Sequence, residues 1–344
     1  MRGLATFFLS VLILIGLFFQ DLLPDFKTEK EPIKTKLEYA GEQSVKIPDD
    51  AVSNWIGKDI KSFNKRWGEP ERIDPSAYGY EWYIYASKNT KGYLQAGVED
   101  GEIVTLYVIG SDVNTKPFTI GASSNDIIQN YPVESDITIH DGEDFFKFEL
   151  SEEEVMIRPL VDLGNDVWVQ LYFDKFTNKL SSVRYLTADI LLKQRPYSIV
   201  YRGDLPSLPN ITEAKQKEID DSEQQEIYEL SNVIRMNYNL NPLEWDNAAS
   251  EVAFLHSKDM ADQNYFSHKS KDGRTLSDRL EDGNVTFLQA GENIAANYTD
   301  GIAAVQGWMN SEGHRKALLN KEYTHLGVGV YKKYYTQNFI VPAQ

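Results

Sequence analysis

The chain has 344 residues, a formal net charge of −17 and no cysteine. A chain of this length has room for about two globular domains. The absence of cysteine excludes disulfide bonds, thiolate metal ligands, cysteine nucleophiles and a lipidated N-terminal cysteine. Because 52 acidic residues stand against 35 basic ones, binding to nucleic acid through its phosphate backbone is unfavourable. An apolar fraction of 42% is enough to form buried cores.

The N-terminus is an apolar run that predicts export. From Gly3 to Gln20 there are 18 uncharged residues behind the single basic residue Arg2. As a helix this run would be about 27 Å long, close to the thickness of a bilayer core, and no A-x-A-like cleavage site follows it. We therefore predict that residues 1–22 form an uncleaved signal anchor, with the rest of the chain outside the cytoplasm. A cleaved signal peptide, which would give a secreted protein, and a buried helix are the alternatives.

Two segments rich in proline and charge divide the remaining chain. Residues 23–50 predict a tether that holds the protein off the membrane, and residues 203–221 predict a linker. They separate a first domain at 51–202 from a second at 222–344. Because an exported protein without disulfides is unusual outside bacteria, the sequence also indicates a bacterial cell envelope.

The first domain is predicted to be α+β, with two weakly similar helix–strand–strand repeats that share one sheet. Each copy begins with a short amphipathic helix that a proline ends, Pro70 in the first copy and Pro132 in the second. The runs with strand character are Tyr80–Tyr85, Ile103–Ile109, Phe145–Leu150, Val167–Phe173 and Leu180–Leu186. No residue here stands out as catalytic, and a sheet edge or groove that engages a protein partner is one hypothesis for the domain's role.

Four of the five histidines follow residue 250 and supply the candidate chemistry. His256 lies in a helical run and His325 precedes a strand-like alternation, so we interpret both as structural or surface residues. His268 and His314 lie in irregular polar segments instead. Glu292 lies in an apolar run, so its carboxylate must find a partner or shift its pKa, unless it is a solvated loop residue or a helix cap.

Six spaced motifs in the second domain have an order that resembles a known family. They are MNYNLNPLEW at 236–245, Ala253–Met260, Tyr265–His268, GENIA at 291–295, WMNSEGH at 308–314 and LGVGV at 326–330. Together they resemble the CAP superfamily, which comprises cysteine-rich secretory, antigen and pathogenesis-related proteins, in its bacterial form. The IGKDI…WGEP segment and the order of anchor, repeat and second domain resemble the CAP-associated domain that precedes such modules.

The resemblance implies a fold and a set of site residues. The family fold is an α–β–α sandwich, and the sequence agrees with a helix at Ser222–Tyr238 followed later by alternating strands. By motif, His268, Glu292 and His314 match residues of the family's cleft. Glu312 is a weak match for a second glutamate, because it stands one place beyond the expected position, which Ser311 occupies.

Such a cluster permits three kinds of function. His268, His314 and Glu292 could together bind a divalent cation, with Zn²⁺ favoured by imidazole ligands and a water in the open position. Without a metal, Glu292 could orient a histidine that acts as a general base. Since no serine lies in a nucleophile motif, our favoured hypothesis is a membrane-anchored protein that binds a lipid, peptide or cell-wall ligand without turnover. A metal-dependent hydrolase that acts on an envelope substrate through an activated water is the alternative.

Overall fold

The computed structural model describes residues 45–85, 92–131 and 133–343. The predicted signal anchor and nearly all of the predicted tether lie outside these residues. Within the described ranges, no helix combines the length and the apolar character needed to cross a membrane.

The first half of the described chain is dominated by antiparallel strands. Its elements are a 3₁₀ helix (Val52–Trp55), α1 (Ile60–Trp67), β1 (Arg72–Pro75), β2 (Glu81–Ile84), β3 (Tyr93–Glu99), β4 (Glu102–Ile109), α2 (Ser124–Asn130), β5 (Asp136–Asp141), β6 (Asp144–Glu149), α3 (Glu152–Ile157), β7 (Leu160–Asp162), β8 (Val167–Asp174), β9 (Lys179–Thr187), α4 (Ala188–Gln194) and β10 (Ser198–Arg202). Seven strands form one sheet in the order β1-β2-β3-β4-β9-β8-β7, and β10-β6-β5 form a second sheet.

The two halves of the large sheet use equivalent backbone hydrogen bonds. The N–H of Gly57 donates to the carbonyl of Ile103, and the N–H of Gly121 donates to that of Leu180, both at 2.8 Å. Both glycines have a positive φ, 74° and 90°, which a side chain would disfavour. β4 and β9 then pair antiparallel at the centre of the sheet. Each half is larger than the predicted helix–strand–strand unit, because further strands extend the large sheet. β5 and β6 are not part of this sheet and pair with β10 in the second one.

The second half has helices on both faces of a four-stranded sheet. Its elements are α5 (Glu213–Asn237), β11 (Glu244–Trp245), α6 (Asn247–Asp262), α7 (Leu276–Asp282), β12 (Phe287–Ala296), α8 (Gly301–Met309), α9 (Glu312–Leu318), β13 (His325–Tyr331) and β14 (Tyr334–Pro342). The strand order is β11-β13-β14-β12. α5 begins nine residues before the predicted start at Ser222, because the Thr212 side chain caps it and lysine–carboxylate pairs stabilise its charged first turns. The predicted linker is therefore helical from Glu213 onward.

β13 separates the two helical layers. A Cβ atom at Gly329 would lie 1.9 Å from the backbone nitrogen of Phe254 in α6, so only glycine allows this helix to approach the strand. Alternate residues of a strand face opposite sides of the sheet. Leu326 and Val328 accordingly join a core that also contains Ile227 of α5. This arrangement is the α–β–α sandwich that the resemblance to the CAP superfamily implies.

The two halves share a buried interface. One hydrophobic cluster includes Tyr80 and Tyr107 of the first half together with Leu230 and Trp308 of the second. Within this interface Arg184 donates a 2.6 Å hydrogen bond to Asp300, and the Arg184 side chain is 0% exposed. The Asp300 carboxylate also accepts from the N–H of Ala303, and so caps α8. The interface therefore contains charge as well as apolar surface.

Candidate functional site

His268 and Glu292 form a direct hydrogen-bonded pair. Glu292 lies on β12, opposite Asn338 of β14, and His268 lies in the loop between α6 and α7. The Nδ1 atom of His268 is 2.8 Å from Oε1 of Glu292. The Glu292 side chain is 3% exposed, whereas that of His268 is 58% exposed. A buried carboxylate thus holds one nitrogen of an imidazole whose ring reaches solvent.

The second oxygen of Glu292 is bound by Arg279, a residue that our sequence analysis did not select. Nη2 of Arg279 donates to Oε2 of Glu292 at 2.6 Å, and Nη1 donates to the carbonyl of His268 at 3.0 Å. Arg279 is buried on α7, which Thr275 and Asp278 cap by a reciprocal pair of hydrogen bonds. The guanidinium therefore balances the charge of Glu292 and ties the His268 loop to the same carboxylate.

His256 packs on the buried side of the His268–Glu292 pair. It is fully buried on α6, and its Nε2 atom is 3.1 Å from the carbonyl of Ser267, next to His268. Oε2 of Glu292 lies 4.0 Å from the same nitrogen. Burial lowers the pKa of His256, which keeps the ring neutral at neutral pH. Its position agrees with the structural interpretation from the sequence, but it lies much closer to Glu292 than the helical pattern could show.

His314 completes the cleft from another element. It lies on α9, its Nδ1 atom is 2.9 Å from Oγ of Ser311, and its carbonyl accepts a 3.1 Å hydrogen bond from the Asn293 side chain. The ring centroids of His268 and His314 are 6.4 Å apart. Burial, and secondarily the nearby His268, lowers the pKa of His314. The structure therefore brings together two imidazoles and one carboxylate from three separate segments.

Glu312 is not part of the cleft. Its side chain is 72% exposed and pairs with Lys316, one helical turn further along α9, at 2.7 Å. The motif match at this position was weak, and Ser311, which stands at the expected place, contacts His314 instead.

The predicted metal ligands do not form a metal-binding group. Among the residues that the structure describes, no set of three or more His, Asp or Glu side chains could hold a metal ion. The reason lies in Glu292, whose two oxygens face His268 and the cationic Arg279. Since zinc sites in enzymes commonly use three protein ligands, His268 and His314 alone do not fit one.

Comparisons with known proteins identify the two halves. Residues 228–342 match the model of the cysteine-rich secretory protein (CAP) family, and residues 56–197 match that of the CAP-associated N-terminal domain. The "Uncharacterized membrane protein YlbC" of Bacillus subtilis is 46% identical over 345 residues, which span 99% of each chain. The chain belongs to the CAP family. This result confirms the resemblance seen in its motifs.

Other CAP relatives show how far the likeness extends. A crystal structure of an extracellular protein containing an SCP domain from Bacillus anthracis has a TM-score of 0.80 and 48% identity, and the match covers 88% of this chain and 99% of that one. A cysteine-rich secretory protein from Staphylococcus aureus has a TM-score of 0.75 and 27% identity, with 85% and 96% of the two chains covered. The "Uncharacterized protein YkwD" of Bacillus subtilis is 40% identical over 119 residues, which are 34% of this chain and 46% of YkwD. Two structures thus share the two-domain organisation of nearly the whole described chain.

Proposed function

We propose that this CAP protein is anchored at the outer face of the bacterial membrane by residues 1–22 and binds a polar envelope ligand between His268 and His314. The names of its relatives support the location, since one is called a membrane protein and another an extracellular protein. The apolar N-terminal run supports the anchor.

The observation that carries the proposal is the buried Glu292 that orients an exposed imidazole. If the carboxylate accepts the Nδ1 proton of His268, the Nε2 atom of that ring is left as a hydrogen-bond acceptor. The ring of His314 lies 6.4 Å away, and its lowered pKa favours a neutral imidazole. Two imidazole rings and an ion pair suit the hydrogen-bonding groups of a peptide or glycan better than a lipid chain.

A second candidate function is hydrolysis, with His268 as a general base. The specific observation in its favour is the same 2.8 Å contact, because a carboxylate that accepts the Nδ1 proton fixes the tautomer in which Nε2 can accept a proton. Water, rather than a protein nucleophile, would then attack the substrate. Glu292 would stabilise the positive ring that forms.

Titration calorimetry on the continuous chain from residue 45 to residue 344 tests both functions. The probes are a soluble wall muropeptide, a chitin tetrasaccharide and phosphatidylglycerol vesicles. We expect the muropeptide or the tetrasaccharide to bind, and His268→Ala to weaken that binding at least tenfold. His325→Ala is the matched control, since His325 contacts Glu244 and Thr324 instead of the cleft. Equal affinity in both variants would overturn the binding site, and product release from either soluble probe would favour the hydrolase.

A further inference from the structure

The segment that carries His314 is held by the first domain. The turn between β8 and β9 contacts Asn310, which precedes that segment. The Asn310 side chain donates to the carbonyl of Phe173 at 2.8 Å and accepts from the N–H of Lys175 at 2.9 Å. Asn310 is buried. One end of the segment is therefore fixed through two backbone groups of the other domain.

The same turn also holds the residue that follows His314. Nη2 of Arg315 donates to the carboxylate of Asp174 at 2.9 Å and to the hydroxyl of Tyr238 at 2.8 Å. The Arg315 guanidinium also stacks 4.8 Å above the ring of Phe176. Burial alone would raise the pKa of Asp174, but hydrogen bonds from Tyr238 and Arg315 lower it, which keeps the carboxylate charged. Ser311 and His314 thus lie between two anchors that the first domain provides.

A groove runs between the domains beside this segment. Its volume is about 600 Å³, within the range of small-ligand pockets. Glu153 and Lys175 line it from the first domain, whereas Tyr298, Ser311 and Glu312 line it from the CAP domain. Ser311 lines the groove, and its Oγ atom is 2.9 Å from the His314 ring, so this serine links the groove to the candidate site.

The walls of the groove carry charged side chains with which a ligand can form ion pairs. Lys175 lies 3.7 Å from Glu153, and Glu312 pairs with Lys316, but all four side chains are exposed. Exposed pairs of this kind contribute little to stability, so a ligand group can replace either partner at little cost. The first-domain wall carries charges of both signs, at Lys175 and Glu153, and the CAP wall carries the negative Glu312. This pattern matches a zwitterionic chain, and neither a neutral glycan nor a lipid tail offers such groups.

We propose that the first domain completes the ligand site: the groove binds a short peptide with charged groups of both signs, and the Asp174–Lys175 turn holds His314 at its end. This inference rests on the proposed function and adds the ligand class to it. It also assigns the first domain a role within the site.

Two substitutions with matched controls test the groove by calorimetry, with a synthetic wall stem tetrapeptide as probe. A Cβ atom at Gly307 would lie 2.2 Å from the Tyr298 hydroxyl, so Gly307→Ala displaces that side chain in the groove. Gly313→Ala is the control, because no atom other than those of its chain neighbours and its own helix backbone lies within 4 Å of its Cβ position. We expect Gly307→Ala to weaken peptide binding at least tenfold and Gly313→Ala to leave it unchanged.

Charge reversal at Lys175 tests the ligand class. Lys175→Glu is expected to weaken binding of the free-acid tetrapeptide at least tenfold, and to weaken binding of its C-terminal amide much less. Lys61→Glu, the same change on an exposed residue of α1, should alter neither affinity. Equal losses for the acid and the amide would overturn the pairing of Lys175 with a carboxylate.

The outcomes separate this inference from the proposed function. If Gly307→Ala and Lys175→Glu bind the peptide like the wild type while His268→Ala does not, binding at the His268 cleft is supported and binding in the groove is overturned. If only the chitin tetrasaccharide binds the wild type, the peptide class is overturned and the cleft stands. If the wild type binds none of the soluble probes, both proposals are overturned.

Discussion

Nη2 of Arg279 lies 2.6 Å from Oε2 of Glu292, on the carboxylate oxygen that His268 does not contact. A buried carboxylate without a positive partner would be unfavourable, because its desolvation is costly. The arginine therefore allows an ionised acid to lie beneath the cleft and to orient an imidazole. Its contact with the His268 carbonyl also fixes the loop that presents this ring.

Replacement of Arg279 is expected to be strongly destabilising. Arg279→Met leaves Glu292 buried without its cation, so the free energy of unfolding should fall by about 3–5 kcal/mol. Urea denaturation measures this value. Arg274→Met is the control, because Arg274 forms exposed pairs with Asp272 and Asp282 and its loss should cost about 1 kcal/mol or less. Equal losses in the two variants would show that Arg279 does not balance a buried charge.

The interface between the domains predicts a stability that depends on pH. Burial raises the pKa of Glu226 well above its usual range, and it also raises the pKa of Glu223 on the same helix. The folded state therefore holds these protons more tightly than the unfolded state does. The free energy of unfolding should fall as the pH rises from the ordinary glutamate pKa through the raised value. Denaturation curves at mildly acidic and mildly alkaline pH measure the slope.

Amide substitutions at two neighbouring glutamates separate the causes of that slope. Glu226→Gln should flatten the pH dependence and raise the stability at neutral pH by about 1–3 kcal/mol, because folding no longer has to protonate this side chain above its ordinary pKa. Glu229→Gln should lower the stability instead, since Glu229 accepts two hydrogen bonds from Arg72, the shorter at 2.6 Å. A loss of stability at neutral pH in Glu226→Gln would contradict the predicted protonation.

The Arg184–Asp300 pair predicts that the two domains unfold together. Asp300→Asn keeps an oxygen that can cap α8 but leaves Arg184 buried without its anion, at a cost of about 3–5 kcal/mol. Asp300→Ala should lower the free energy of unfolding by about 1 kcal/mol more than Asp300→Asn does, because the helix cap is also lost. Calorimetric melting should show one transition, shifted downward in both variants. Separate transitions for the two domains would contradict the shared interface.

The turn at Asp174 predicts a local change at His314. Asp174→Asn weakens the contact with Arg315, so the His314 ring should become more hydrated and its pKa should rise toward the ordinary histidine value. Proton NMR titration of the His314 ring measures this shift. Asp189→Asn is the control, because Asp189 is an exposed acidic residue of the first domain that pairs with Lys193. An unaltered His314 titration in Asp174→Asn would show that the turn does not position the ring.

The candidate cleft could be located from the sequence because motif order carries spatial information. His268, Glu292 and His314 lie in three segments with a recognisable order, and the structure brings them together. Arg279 could not be found in this way. It lies in a short helix with polar caps, which looks like a surface element, and no local pattern shows that this helix folds back over β12.

Local charge was the least reliable guide to the fold. The composition of the charged stretch before Ser222 predicts a linker, yet this stretch forms the first turns of α5, because charges spaced by three or four residues pair along a helix. The same density of charge concealed the interface, where Glu226, Arg184 and Asp300 are buried. Sequence patterns assign charges to solvent, whereas only tertiary structure shows which of them meet across two domains.

The matched hydrogen bonds at Gly57 and Gly121 have an evolutionary consequence. The two halves of the large sheet meet where β4 and β9 run antiparallel, which is the relation that a two-fold axis creates between identical strands. An ancestral half-length chain could therefore have existed as a symmetric homodimer joined along this one strand. Gene duplication and fusion would then have placed both copies in one polypeptide.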